Sequence, residues 1–181
     1  MILFHINTMN RFNICIKNAM NSSEIQSMAK QLQIQDFIGT FAIDQLKDIN
    51  SKKLGSFIFN TDVSKELGTH WIGIHIGKKH LSLFDPLGIK YLDLSSIHLK
   101  KFLLKFNKHV IINRIQIQSN TSHMCGVHCM LFCYIMSSKH LNISFESFLS
   151  QFDIPSIEER EKNALELFST IFKRKTKTKN D

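Results

Sequence analysis

Cys125 is followed at once by Gly126 and opens the segment that holds the longest apolar run of the chain, Val127–Met136. Residues Cys125–Lys139 read as a buried helix, and a helix N-terminus stabilises a thiolate and lowers the thiol pKa. A thiol placed there is a candidate nucleophile, and Gly126 leaves room for a substrate backbone to come close. The preceding stretch, Gln118–Met124, is polar and loop-like. It can aim the Gln118 amide and the Cys125 backbone N–H at one point, and two converging donors make an oxyanion hole. A base is offered by His70. Trp71–Ile76 and Leu81–Asp85 alternate around Gly77, the pattern of a β-hairpin. With Gly77-Lys78 as the turn, His70 stands opposite Asp85. With Lys78-Lys79 as the turn, Asp85 is diagonal to His70, about 7–8 Å away by backbone. In either register both side chains stay on one face. A carboxylate beside an imidazole accepts its Nδ1–H, fixes the tautomer and stabilises the imidazolium. Taken singly, a His–Asp pair on a strand is an ordinary surface pair, and a cysteine in an apolar helix is an ordinary core residue.

The neighbouring thiols and imidazoles are assigned simpler places. Cys129 and Cys133 follow Cys125 at i+4 and i+8 and read as core. Cys125, His128, Cys129 and Cys133 on one straight helix cannot readily wrap four ligands around Zn²⁺, and no second cysteine pair exists. No metal is therefore expected. His75 and His80 read as strand and turn residues. His123 is a competing base, but its loop offers no obvious orienting carboxylate.

These residues need a scaffold. Ser22–Gln33 reads as a helix capped by Ser22 or Ser23, with Ile25, Met28, Ala29 and Leu32 on one side. Phe57–Asn60 is a short apolar run, and Val110–Ile117 alternates like a further strand. A helix from Ser95 or Ser96 through Lys108 carries Leu99, Phe102, Leu103 and Phe106 as its buried stripe. A last helix, about Ser156–Phe172, opens with the capping box Ser156–Glu159. Helices flanking a small, largely antiparallel sheet make an α+β domain. With 181 residues the chain fits one domain. Residues 1–20 read as an extension with no clear period, within which Met20 is an alternative start. The folded domain is expected over residues 21–172, and a basic tail over 173–181.

Composition narrows the class further. Two prolines and seven glycines exclude collagen and low-complexity chains. The longest apolar run is ten residues and contains His128, too short to span a bilayer. The apolar start is too short for a secretory signal. Four cysteines are too few for a disulfide scaffold, so a reducing, intracellular setting is expected. The net charge of +8 is concentrated in two places. Leu94–Ile117 holds Lys100, Lys101, Lys105, Lys108 and Arg114 with no acid. The C-terminal segment holds Lys173, Arg174, Lys175, Lys177 and Lys179. Such clusters suit a polyanion such as nucleic acid; the simpler reading is a solvated helix face and a soluble tail.

The order His70, Asp85, Gln118, Cys125-Gly126, with Trp71 after the histidine, resembles the adenovirus-protease (adenain) branch of the cysteine peptidases, related to the SUMO and other ubiquitin-like-modifier proteases. The resemblance runs from about Ser22 to Phe172. It includes Ser22–Glu24, Phe37–Phe41, Asn60-Thr61, Gly68–Trp71 and Phe84–Gly88. Six residues separate Gln118 from Cys125, as in adenain, whereas SUMO proteases typically have five. Asp85 stands where adenoviral enzymes tend to carry Glu and SUMO proteases carry Asp. The wording around Asn60–Asp62 and Gly68–Trp71 is similar to relatives encoded by Polinton/Maverick elements and adintoviruses.

The resemblance implies a papain-like fold with rearranged topology and a nucleophile at the N-terminus of a buried central helix. It implies His70 as general base, Asp85 as its orienter, Gln118 as oxyanion donor and Cys125 as nucleophile, with Trp71 packed beside the pair. It implies cleavage at Gly-Gly-X or Gly-X sites of viral structural precursors during virion maturation, in the host nucleus or the virion. No cofactor is needed for that chemistry. Adenoviral relatives are activated by DNA and by a capsid-derived peptide joined through a disulfide. Lys101–Ile117 has no cysteine, so the covalent route is not expected here. DNA remains a possible activator and partner, with Lys100, Lys101, Lys105, Lys108, Lys173, Arg174 and Lys175 as contacts. A monomer without membrane contact is expected. The alternatives are a deconjugase for ubiquitin-like modifiers and a catalytically silent DNA-binding relative.

Overall fold

The computed structural model describes residues 19–88, 95–138 and 141–177. The extension through residue 18, Cys15, Lys139 and residues 178–181 lie outside the described residues. The elements are α1 (Ser22–Gln31), β1 (Phe37–Ala42), a 3₁₀ helix (Ile43–Asp48), β2 (Gly55–Asn60), β3 (Trp71–Ile76), β4 (His80–Phe84), α2 (Ile97–Leu103), β5 (His109–Ile112), α3 (Cys125–Ser137), α4 (Phe145–Ser150) and α5 (Ile157–Lys177). The five strands lie in the order β1-β2-β3-β4-β5. The two inner pairings are antiparallel and the two outer ones parallel. The sheet is thus mixed, the α+β arrangement expected, with helices on both faces.

Alternation along the strands builds two cores. Phe57, Phe59, Ile72, Ile74, Ile76, Leu81 and Leu83 face the 3₁₀ helix and α2. Ile58 and Phe84 face α3, α1, α4 and α5. The α3 helix carries no charged side chain except the titratable His128, and eleven of its residues are buried. Gly73 lets it approach the sheet: a Cβ there would stand 2.7 Å from the Phe132 ring. Phe132 then stacks on Phe84 with ring centroids 5.1 Å apart. Among the described residues no helix is long and apolar enough to cross a membrane.

Several boundaries differ from expectation for physical reasons. The α1 cap is Asn21, which forms a full capping box with Glu24, and not Ser22 or Ser23. The expected strand to Ile117 stops at Ile112, because the Asn113 side chain bonds the backbone at Asp85 in place of a continuing ladder. The α2 helix ends at Leu103 rather than Lys108; Lys105 turns to the carbonyls of Leu46 and Lys47. α5 continues to Lys177, so Lys173, Arg174 and Lys175 are helical. Met20 is 4% exposed and packs in the core, so the packed chain includes a residue that the sequence left in the extension.

Candidate active site

The hairpin register puts Gly73 opposite Phe84 and Ile76 opposite Leu81, so the turn is Lys78-Lys79. His70 and Asp85 are therefore diagonal, each one residue beyond its strand. The side chains close the gap: His70 Nε2 donates to Asp85 Oδ1 at 2.7 Å. The bond uses Nε2 and not the expected Nδ1, which leaves Nδ1 as the ring nitrogen for the thiol. The Cys125 thiol lies beside His70 and acts on its protonation. Burial disfavours the imidazolium, but the hydrogen bonds and charges of Asp85 and Cys125 together outweigh it. The His70 pKa is pushed up to about 9. His70 is thus protonated at neutral pH and lies beside the sulfur.

Asp85 is fully buried and is held from several directions. Its Oδ1 also accepts the Leu87 N–H at 2.9 Å, while Oδ2 is buried without a partner. Its peptide is gripped by Asn113, which sequence reasoning missed. Asn113 Oδ1 accepts the Asp85 N–H at 2.8 Å, and Asn113 Nδ2 donates to the Asp85 carbonyl at 2.6 Å and to Ile115 at 3.0 Å. A lone asparagine in an alternating apolar run was the available signal, because a buried amide must find partners.

Gln118 is 3% exposed. Its N–H and that of Ile117 both donate to the carbonyl of Pro86, the residue after Asp85. Its side-chain Nε2 donates to Ser122 O at 2.7 Å, which commits one amide hydrogen and leaves the second to donate elsewhere. Cys125 begins α3, so its backbone N–H has no intrahelical acceptor. Trp71 is half-buried, and its indole N–H donates to Met20 O at 2.7 Å. The room expected for a substrate beside Gly126 is filled by Met20: a Cβ on Gly126 would stand 3.1 Å from the Met20 Cβ. A groove of about 470 Å³ instead reaches Cys125 past Trp71, Met20, Phe41, Val63 and Leu67.

The other candidates separate from this centre. Burial pushes the Cys129 and Cys133 thiols up, as core cysteines require. Among the described residues no cluster of metal-ligating side chains occurs. His128 is buried on α3 and pairs with Glu161 at 3.3 Å. The two basic segments do not share one surface. Lys100, Lys101 and Lys105 ride with α2 on one face of the sheet, where Lys108 Nζ donates to Gly77 O at 2.6 Å. Lys173, Arg174 and Lys175 ride on α5, which packs over the other face.

No family model matches the chain. It is similar to the protease of Bovine adenovirus 7, with 29% identity over 77% of this chain and 77% of that protein. It is also similar to the protease of Ovine adenovirus D serotype 7, with 26% identity over 72% and 71%. Among solved structures, the ASFV protease aligns over 82% of this chain and 67% of that chain, with 16% identity and a TM-score of 0.47. A SUMO protease with its catalytic cysteine oxidised to a sulfinic acid aligns over 90% and 84%, with 14% identity and a TM-score of 0.47. With His70, Asp85 and Cys125 gathered at a helix N-terminus and adenovirus proteases as relatives, the chain is a cysteine endopeptidase similar to those of adenoviruses.

Proposed function

We propose that the protein cleaves viral structural precursors at Gly-containing sites during virion maturation, with Cys125 as nucleophile, His70 as general base and acid, Asp85 as orienter and Gln118 as oxyanion donor. The observation that carries this reading is the His70–Asp85 hydrogen bond, with the Cys125 thiol beside His70 at the start of α3. The protonated His70 stabilises the Cys125 thiolate, which attacks the scissile carbonyl. The tetrahedral oxyanion receives the Cys125 N–H and the second amide hydrogen of Gln118. His70 gives its proton to the leaving amine. Water, deprotonated by His70, then hydrolyses the thioester and restores the pair. Asp85 keeps Nε2–H occupied throughout, so Nδ1 stays directed at the sulfur.

The groove that reaches Cys125 past Trp71 and Met20 is where the substrate chain would lie. The adenovirus relatives support viral proteins as substrates and the infected cell or virion as the place of action; the host nucleus is our assignment within that. No cofactor enters the chemistry. DNA contact is assigned to Lys100, Lys101, Lys105 and Lys108, beside the exposed Lys78 and Lys79 at the hairpin tip, with Lys173, Arg174 and Lys175 as a separate site. The protein acts as a monomer.

The test is cleavage of a Gly-Gly-containing peptide library, read by mass spectrometry with and without DNA, comparing the protein with Cys125→Ala. Cleavage after Gly that disappears in the variant is expected. Cleavage confined to ubiquitin-like precursors would replace the maturation reading with a deconjugase. No cleavage, together with an unreactive Cys125 thiol, would mark a silent relative.

A further inference from the structure

We propose that Glu161 is a positioning residue that holds the Gln118 loop against the helix of the nucleophile. The proposal rests on Gln118 being the oxyanion donor. Glu161 lies on α5, yet its two carboxylate oxygens serve two other elements. Oε2 accepts the backbone N–H of Ser119 at 3.3 Å, next in chain to Gln118. Oε1 pairs with His128 Nε2 at 3.3 Å, on α3 nearly one turn after Cys125. The Ser122 side chain also lies near the same carboxylate and helps to keep it charged. Ser122 is also the residue whose carbonyl receives the Gln118 amide. Glu161 therefore grips Ser119 and lies near Ser122, either side of the segment that orients Gln118, and ties that segment to α3.

The surroundings make this tether consequential. The loop borders a cavity of about 650 Å³ on its α5 side, so little packing holds it there. The His128 side chain is 1% exposed and that of Glu161 13%, so water competes weakly for the pair. Burial raises the Glu161 pKa, but His128, Ser122 and Ser119 lower it more, which keeps the carboxylate charged. Neighbouring Arg160 adds a parallel hold, donating from Nη1 to Gln116 O at 3.0 Å. None of these contacts touches His70 or Asp85.

The experiment is a double-mutant cycle on peptide cleavage with Glu161→Ala, Gln118→Ala and the pair together. Glu161→Ala is expected to lower kcat about tenfold with KM changed less than about twofold, a loss below the 10²–10³ of an oxyanion donor removed outright. In the Gln118→Ala background, Glu161→Ala should change kcat by less than about twofold, since it acts through Gln118. Glu161→Gln keeps one acceptor and should recover part of the loss. Alkylation of Cys125 should proceed at the wild-type rate. Equal losses in both backgrounds, or an unchanged kcat in Glu161→Ala, would overturn the proposal. If Glu161→Ala does not fold, Glu161→Gln run in both backgrounds decides by the same criterion. If Gln118→Ala leaves kcat intact, the oxyanion assignment fails first and the proposal falls with it.

Discussion

Asp85→Asn is the most informative single change. It preserves the shape of a fully buried side chain and removes its charge. Raising the His70 pKa from the ordinary 6.5 to about 9 favours the imidazolium in the folded chain by about 3 kcal/mol. The His70 side chain is 16% exposed, so solvent screening removes only a modest share. The folded pKa lies above the unfolded one. This contribution is therefore complete below pH 6.5 and is lost as the pH rises through about 9. Urea unfolding of the wild type should accordingly show a loss approaching about 3 kcal/mol across that window. Asp85→Asn removes the larger of the two partners that raise the pKa, so its own loss over the window should be about 1 kcal/mol or less. Repeating both in a Cys125→Ala background separates the share of the thiol. In the active protein the same variant should slow Cys125 alkylation near pH 6, where the imidazolium otherwise stabilises the thiolate. Parallel stability curves for wild type and Asp85→Asn between pH 6 and 10 would refute the electrostatic account of the site.

Asn113→Ala strips the clamp from the Asp85 peptide and leaves buried backbone groups unpaired; a destabilisation of about 2–4 kcal/mol in urea is expected, with a lower kcat. Gly73→Ala drives a methyl against Phe132 and should cost about 1–3 kcal/mol, with part restored by Phe132→Leu. If α2 contacts DNA, Lys100→Ala and Lys101→Ala should each reduce the slope of log affinity against log salt by about 1, read by fluorescence anisotropy. An unchanged slope would leave those lysines as solvated surface.

The site was legible in the chain to the extent that its parts are local. A thiol at the start of an apolar helix and a hairpin flanked by His70 and Asp85 can be read from spacing alone, and the structure brings them together. The register was open between two turns, because Gly77 and the two lysines permit either; the Gly77–His80 backbone bond selects one. The ring nitrogen was read as Nδ1 because parity fixes a face and not the rotation of an imidazole. Met20 and Glu161 could not be found in this way, since their partners are distant in sequence, and Asn113 left only the signal of a lone amide in an apolar run. Strand β1 gave little periodic signal, for all six of its residues are only half-buried at a sheet edge. Helix α4, six residues long, is shorter than periodicity can resolve. The basic segments were visible as charge, but their separation onto opposite faces depends on which core each helix joins.

The layering of the site has a kinetic meaning. His70 and Asp85 flank neighbouring strands that pair through a two-residue turn, a local contact. Cys125 arrives on the other layer, and α3 has no polar face with which to persist in water alone. It must dock over Gly73 before the sulfur meets the imidazole. The imidazole and the sulfur therefore meet only once the segment through α3 has folded. Proteolytic competence is in this sense a report of completed folding, and a half-made copy is harmless to the proteins around it.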